Sequence, residues 1–263
     1  MDISDIPPAT RSEISISNTV KFYWSATDVV GMFPDRGAQA YFEMENFAGG
    51  DAAEFNGGGW ALKTASQYSV YFPYDYGHRD RSCIPFDFRG QIQHGKSNYS
   101  HLSAYQFMAA GASSPVGGEC AYSMERIEAV VIFKLKLPVI ARYNQLNIRV
   151  ADGTPCVSTV NLDISQSVYI ILSDVTTNRF VLDLEDVETT TENEEVYFYT
   201  MMPPQNYYGK KIIVSVNTAD GDCCQAEIDG KNMLNNHAYQ YVATLTSDMG
   251  SLVESFGSES GNW

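Results

Sequence analysis

The residues best suited to chemistry in this chain are a glycine run followed by a lysine and a threonine. They are Gly57-Gly58-Gly59 and then Lys63-Thr64, within EFNGGGWALKTASQYSVYFPYDYG (54–77). A phosphate cradle needs its glycine directly before Lys-Ser/Thr, and a helix behind it whose free N–H groups meet the anion. Here Trp60-Ala61-Leu62 intervenes, and the residues that follow alternate as a strand does. The phosphate reading fails on both counts. What remains is a turn between strands, with glycine supplying positive φ and Trp60 entering a core.

Other reactive constellations are no better supported. His78, His94, His101 and His237 show neither H-x3-H nor H-E-x2-H spacing, and the cysteines contain no C-x2-C pair. Five cysteines (Cys83, Cys120, Cys156, Cys223, Cys224) leave at least one thiol without an intrachain partner. A Cys83–Cys120 disulfide is the one pairing considered, and Cys223 and Cys224 are expected on opposite faces of a strand. No G-x-S-x-G elbow is present. Carboxylates are so plentiful that a glycosidase-like pair could be chosen at will, which is no evidence for one. The acidic run LEDVETTTENEEV (184–196) lacks the turn glycine of a calcium loop and reads as a solvated connection. No cofactor and no enzymatic activity are expected.

Composition narrows the partners. The 263 residues carry 32 acidic against 17 basic side chains, a net charge of -15, which argues against nucleic acid and anionic membrane surfaces. No apolar run approaches the about 20 residues of a transmembrane helix. The opening MDISDIPPATRSEISIS lacks the basic and apolar regions of a signal peptide, so an exported protein would have lost its leader. With 44% apolar residues, the chain can fill two cores.

The elements that must position any site are strands. VVIFKLKL (130–137) places Val131, Phe133, Leu135 and Leu137 on one face and Lys134 and Lys136 on the other. SVYIILS (167–173) aligns Val168, Ile170 and Leu172, and KIIVSVNT (211–218) aligns Ile212, Val214 and Val216. AYQYVATLTS (238–247) aligns Tyr239, Tyr241, Ala243 and Leu245. This period of two predicts half-buried strands. Asp152-Gly153, Asp220-Gly221, Asp229-Gly230 and Pro203-Pro204 mark turns between them. Strands are also expected over 20–25, 39–44, 52–57, 60–63 and 66–74. The best helix candidate, 100–112, is short and uncapped enough to be loop. The pattern predicts an all-β fold of sandwich or barrel type.

Several segments, in order, resemble one family. FYWSATDVVGMF (22–33) resembles the W-x-x-x-D-x-(I/V)-G-(V/M)-F opening of the bacterial fimbrillins, the subunits of type V pili. AEFNGGGWALKTASQYSVYFPYD (53–75) is similar to that family's F-x-G-x-G-W stretch and its Y-x-(A/V)-Y-(F/Y)-P-Y. FRGQIQHGKSNYSHLSAYQFMAA (88–110) resembles its G-Q-x-Q-x-G and H-L-x-x-Y segment. IEAVVIFKL (127–135), 196–221 and 235–245 sit where the family places second-domain strands. Each motif alone is weak; their joint order from about residue 20 to about residue 246 is the specific part.

The resemblance implies two tandem β-sandwich (transthyretin-like) domains with Greek-key-type antiparallel sheets. They are expected over 20–122 and 123–247, preceded by a lead-in or removable strand (1–19) and followed by a tail (248–263). It implies a lipoprotein exported to the outer-membrane surface and trimmed there, assembling with other pilin subunits into a fimbria by donor-strand exchange. In that process an extended segment of one subunit completes the sheet of the next. By analogy with members processed after arginine, Arg11-Ser12 is a candidate cleavage point; the alternative is an ordinary residue in a disordered lead-in. Ile14, Ile16, Val20 and Phe22 alternate as a donor or groove strand should. The tail, with Leu252, Val253 and Phe256, departs from a long alternating donor, so a tip, anchor or accessory subunit fits as well as a stalk. The competing reading is a free surface module that binds glycans through exposed aromatics, in 71–78 or at Tyr207 and Tyr208 in the predicted turn 203–209. Tyr71 and Tyr74 are expected to be cross-strand or half-buried residues instead.

Overall fold

The structure, a computed structural model, describes residues 13–16, 20–47, 52–57 and 63–247. In chain order the first strands are β1 (Glu13–Ile16), β2 (Val20–Tyr23), β3 (Val29–Pro34), β4 (Ala40–Phe47), β5 (Ala53–Gly57), β6 (Tyr68–Phe72) and β7 (Ile84–Asp87). Next come β8 (Gln91–His94), β9 (Met108–Ser113), β10 (Glu125–Arg126), β11 (Ala129–Leu137), β12 (Arg142–Val150), β13 (Cys156–Val157), β14 (Thr159–Asp163) and β15 (Ile170–Ser173). The last are β16 (Thr176–Thr177), β17 (Phe180–Glu188), β18 (Glu194–Met202), β19 (Gln205–Asn206), β20 (Lys211–Thr218), β21 (Cys223–Asp229), β22 (Asn232–Met233) and β23 (His237–Thr244). The fold is all-β, as the period-two pattern requires.

The chain forms two compact units, passing between them after residues 86, 105, 127, 159 and 172. The expected domains are contiguous in sequence, whereas these units exchange segments. The expected strand at 60–63 and the tail at 248–263 fall outside the described residues, apart from Lys63, which is not in a strand.

The first unit carries a six-stranded sheet in the order β10-β9-β6-β3-β4-β5, a three-stranded sheet β15-β14-β7, and the pair β1-β2. Its sequence motifs have identifiable packing roles. Trp24 meets Phe55 and Phe72 edge-on, at centroid distances of 5.1 and 5.2 Å, in a core with Val30, Val70 and Ala110. Asp28 closes the turn after it by accepting the Ser25 N–H at 2.7 Å, while its own N–H reaches the Ser25 carbonyl at 2.9 Å. Gly31 is required because the Tyr71 ring lies across it: a Cβ there would sit 2.2 Å from a ring carbon.

The span 100–112 is not a helix. A 3-10 helix covers Ser100–Tyr105, and Met108–Ser113 becomes strand β9 between β6 and β10. Sheet pairing overrides the helix propensity of its alanines. Small side chains are needed here for another reason. At Gly111 a Cβ would lie 2.3 Å from the Gln166 carbonyl oxygen and 2.5 Å from that of Ser167, so the 166–167 loop rests directly on the strand.

The second unit packs a three-stranded sheet, β18-β11-β23, and a five-stranded sheet, β21-β20-β12-β17-β8. The expected faces hold: Val131, Phe133, Leu135 and Leu137 are buried, as are Ile212, Val214, Val216, Tyr239, Tyr241, Ala243 and Leu245. Two pairings are parallel, β11 with β23 and β17 with β8. The acidic run 184–196 divides between the end of β17, a connection at 189–193 and the start of β18. At the start of β18, Glu194 pairs with Lys96 at 2.6 Å, which holds its carboxyl down at about 2, and accepts the Thr190 N–H of the connection at 2.7 Å.

Candidate functional site

Three regions hold the residues considered as sites from the sequence, and each is built differently. The first is the amino-terminal pair. Arg11 and Ser12, the candidate processing point, lie outside the described residues. Strands β1 and β2 run antiparallel with Ile14 opposite Phe22 and Ile16 opposite Val20. All four expected donor or groove positions therefore fall in one short ladder. That ladder is a two-stranded sheet in which β1, among the described residues, pairs with β2 alone. An isolated two-stranded ribbon is marginal in water, so such a strand costs little to detach.

The second region is the aromatic segment 71–78. Tyr71 is fully buried; its hydroxyl meets Gln39 Oε1 at 2.5 Å and accepts the Asp75 N–H at 3.2 Å. Tyr74 is half-buried against Tyr41, with ring centroids 5.7 Å apart. Tyr76 is exposed and carries the Arg79 guanidinium 4.2 Å above its ring. Tyr41 and Arg79 join this surface through strand register and turn geometry, neither of which sequence spacing reveals.

The third region separates the pair Tyr207 and Tyr208. Tyr207 is 2% exposed and Tyr208 80% exposed. Neighbours in the turn point opposite ways: the Tyr207 hydroxyl donates to Gln205 Oε1, which also accepts the Val157 N–H at 2.9 Å. Burial pushes the Tyr207 hydroxyl, and the adjacent Cys156 thiol, above their ordinary pKa values. Tyr207 is thus a core residue and not a ligand platform. Of the two tyrosines named as ligand aromatics, this corrects Tyr207 and leaves Tyr208 on the surface.

A second correction concerns 167–173. Val168, Ile170 and Leu172 do share a pattern, yet they are 73%, 49% and 51% exposed. Strand β15 stands at the end of its sheet, and alternation alone does not say whether another layer covers a face.

Reactive groups do not converge. Among the described residues no cluster of three His, Cys, Asp or Glu side chains could hold a metal ion. All five cysteines are free thiols, Cys83 exposed and Cys120 half-buried. Each histidine has a local partner. His78 packs against Tyr71 and Phe86, and His94 pairs with Glu185 at 3.0 Å. Nε2 of His101 donates to the Tyr199 carbonyl at 2.9 Å, and Nδ1 of His237 lies 2.7 Å from that of Asn235. No helix among the described residues is long and apolar enough to cross a membrane.

Fold and sites together define an all-β sandwich protein whose surfaces offer strand edges and side-chain patches. Two solved structures share that fold. One is a candidate cell adhesion protein of Bacteroides ovatus, 12% identical, with a TM-score of 0.59 over 92% of this chain and 91% of that one. Another is a candidate cell adhesion protein of Bacteroides uniformis, 13% identical, with a TM-score of 0.58 over 91% of this chain and 93% of that one. At these identities the likeness is one of fold, the kind of fold the fimbrillin motifs imply. No family model matches the sequence, and no curated protein matches it.

Proposed function

We propose that this chain is a non-enzymatic cell-surface adhesion protein that joins other pilin subunits by strand exchange. The observation that carries the reading is the construction of β1. Among the described residues its four residues pair with a single partner strand, in the stretch whose alternation suits a donor. Trimming at Arg11 would free the segment from Ser12 to Thr19 to occupy the same place beside β2 of a neighbouring copy. Main-chain hydrogen bonds would be conserved in the exchange, and its repetition would not close on itself. The fold shared with candidate adhesion proteins supports a surface location and a binding role. A lipid anchor at the outer membrane belongs to the same reading.

The test compares three chains: the full sequence, one starting at Ser12 and one starting at Val20. Each is concentrated and run unboiled on a denaturing gel. A ladder from the Ser12 chain that vanishes with the Val20 start is the expected result. Ladders from neither shortened chain, with folding intact by circular dichroism, would remove strand exchange through β1.

A further inference from the structure

Arg149 lies near the end of β12, and Arg179 directly precedes β17. These strands are antiparallel, with Asn147 opposite Val181 and Ile148 opposite Phe180. Continued one step past the last paired residues, that register sets Arg149 level with Arg179. Both line one surface concavity of about 620 Å³, together with Thr177, Asn178 and Val181. Like charges set across a strand pair destabilise it unless something neutralises them.

Nothing among the described residues does so. Neither guanidinium makes an ion pair or hydrogen bond among the described residues, and neither does the Asn178 side chain. On the far side of β12, Arg149 is opposite Ile213 of β20, which is apolar. Six other basic side chains do have a carboxylate partner: Arg89 with Asp87, Lys96 with Glu194, Lys134 with Glu195, Arg142 with Asp186, Lys210 with Asp152 and Lys211 with Asp229. The two arginines concentrate positive charge at one place in a chain with 32 acidic and 17 basic residues.

We propose that this concavity binds the acidic group of a sugar, a carboxylate or a sulfate. Two guanidinium forks suit an oxyanion, which each can take through paired N–H donors. The exposed Asn178 amide is free to meet a ring hydroxyl, and the half-buried Val181 offers an apolar surface to the ring face. The volume falls within the range of small-molecule sites. An extended acidic peptide fits less well, because β12 and β17 are interior strands of the five-stranded sheet and offer no free edge for strand addition. The inference supplies a ligand class for the adhesive role, and its chemistry does not depend on subunit assembly.

The test is a titration of the full chain followed by amide NMR, using glucuronate, galactose 6-sulfate, glucose, inorganic sulfate and an acidic peptide. Saturable shifts confined to 147–150 and 177–181 are expected with glucuronate or galactose 6-sulfate, and whichever saturates first identifies the preferred acidic group. Glucose should give none. Arg149→Gln and Arg179→Gln should each weaken binding at least tenfold, with Arg149→Lys intermediate because it keeps charge and loses the fork. Unchanged circular dichroism would confirm folding of these exposed-site variants. Equal binding by the double Gln variant, or no saturable shift with either acidic sugar, would overturn the proposal. Equal or tighter binding of inorganic sulfate or of the peptide would overturn its assignment to a sugar. A failure here with an intact gel ladder would remove the ligand site and leave subunit assembly standing.

Discussion

The two units handle their sheet edges in opposite ways. In the second unit the five-stranded sheet is closed at both ends. At one end β8 reaches β18 through buried glutamines. Gln91 donates to the Phe88 and Met201 carbonyls at 2.8 and 2.6 Å and accepts from Thr200 and the Met201 N–H at 3.0 and 2.9 Å. Gln93 donates to the Tyr197 carbonyl at 3.0 Å and accepts the Tyr199 N–H at 2.9 Å. At the other end Gln225 of β21 exchanges backbone hydrogen bonds with Thr246 beyond β23, at 3.0 and 3.1 Å. Among the described residues the first unit has no such closure for β15, whose apolar residues stand open, and β1 holds to one strand. Unpaired edges invite other chains, so the unit with open edges is the one suited to joining subunits. The lesson is that a side-chain amide can seal a gap between sheets that no strand fills.

The strongest challenge to this contrast is to unseal the second unit. Gln91→Leu leaves the Met201 N–H and two carbonyl groups without their partner in a buried setting. A loss of about 3–5 kcal/mol is expected from such orphaned groups, read by urea unfolding and by faster amide exchange at Met201. A loss below about 1 kcal/mol would mean that the amide is not what closes the edge.

Acid should loosen the same unit by a smaller amount. Burial is the main cause that holds the His101 imidazole down from its ordinary 6.5 to about 4, with His94 adding in the same direction and the Tyr199 carbonyl opposing. The unfolded chain therefore takes up this proton before the folded one. Stability is complete above pH 6.5 and falls as the pH drops through the interval to 4, by up to about 3 kcal/mol. His101→Gln keeps an N–H for the Tyr199 carbonyl and cannot become charged, so its urea midpoint should vary less between pH 7 and pH 4.5. An unchanged pH dependence in that variant would assign the acid sensitivity to other groups.

The smallest effect on stability is expected at the open edge of the first unit. Ile170→Lys with Leu172→Lys should change stability by no more than about 0.5 kcal/mol, because both side chains already face solvent. The same pair should reduce self-association in sedimentation at high concentration. A destabilisation above about 1.5 kcal/mol would show that these residues are covered after all, and the contrast between units would narrow.

Much of this molecule was legible in its sequence, because strand parity is a local property. Alternation assigned Val131, Phe133, Leu135 and Leu137 to one face whatever lay beyond it. The aspartate–glycine pairs at 152–153 and 220–221 marked turns, whereas the W-x-x-x-D-x-V-G sequence carried a family resemblance and the structure gave Trp24, Asp28 and Gly31 their packing roles. Tertiary structure alone decided which faces are covered. It exposed Val168, Ile170 and Leu172, buried Tyr207 beside exposed Tyr208, turned Gln91 and Gln93 into a seal and set Arg149 beside Arg179. Those outcomes depend on partners about 30 to 110 positions away, and a period of two carries no information about what a distant strand will bring.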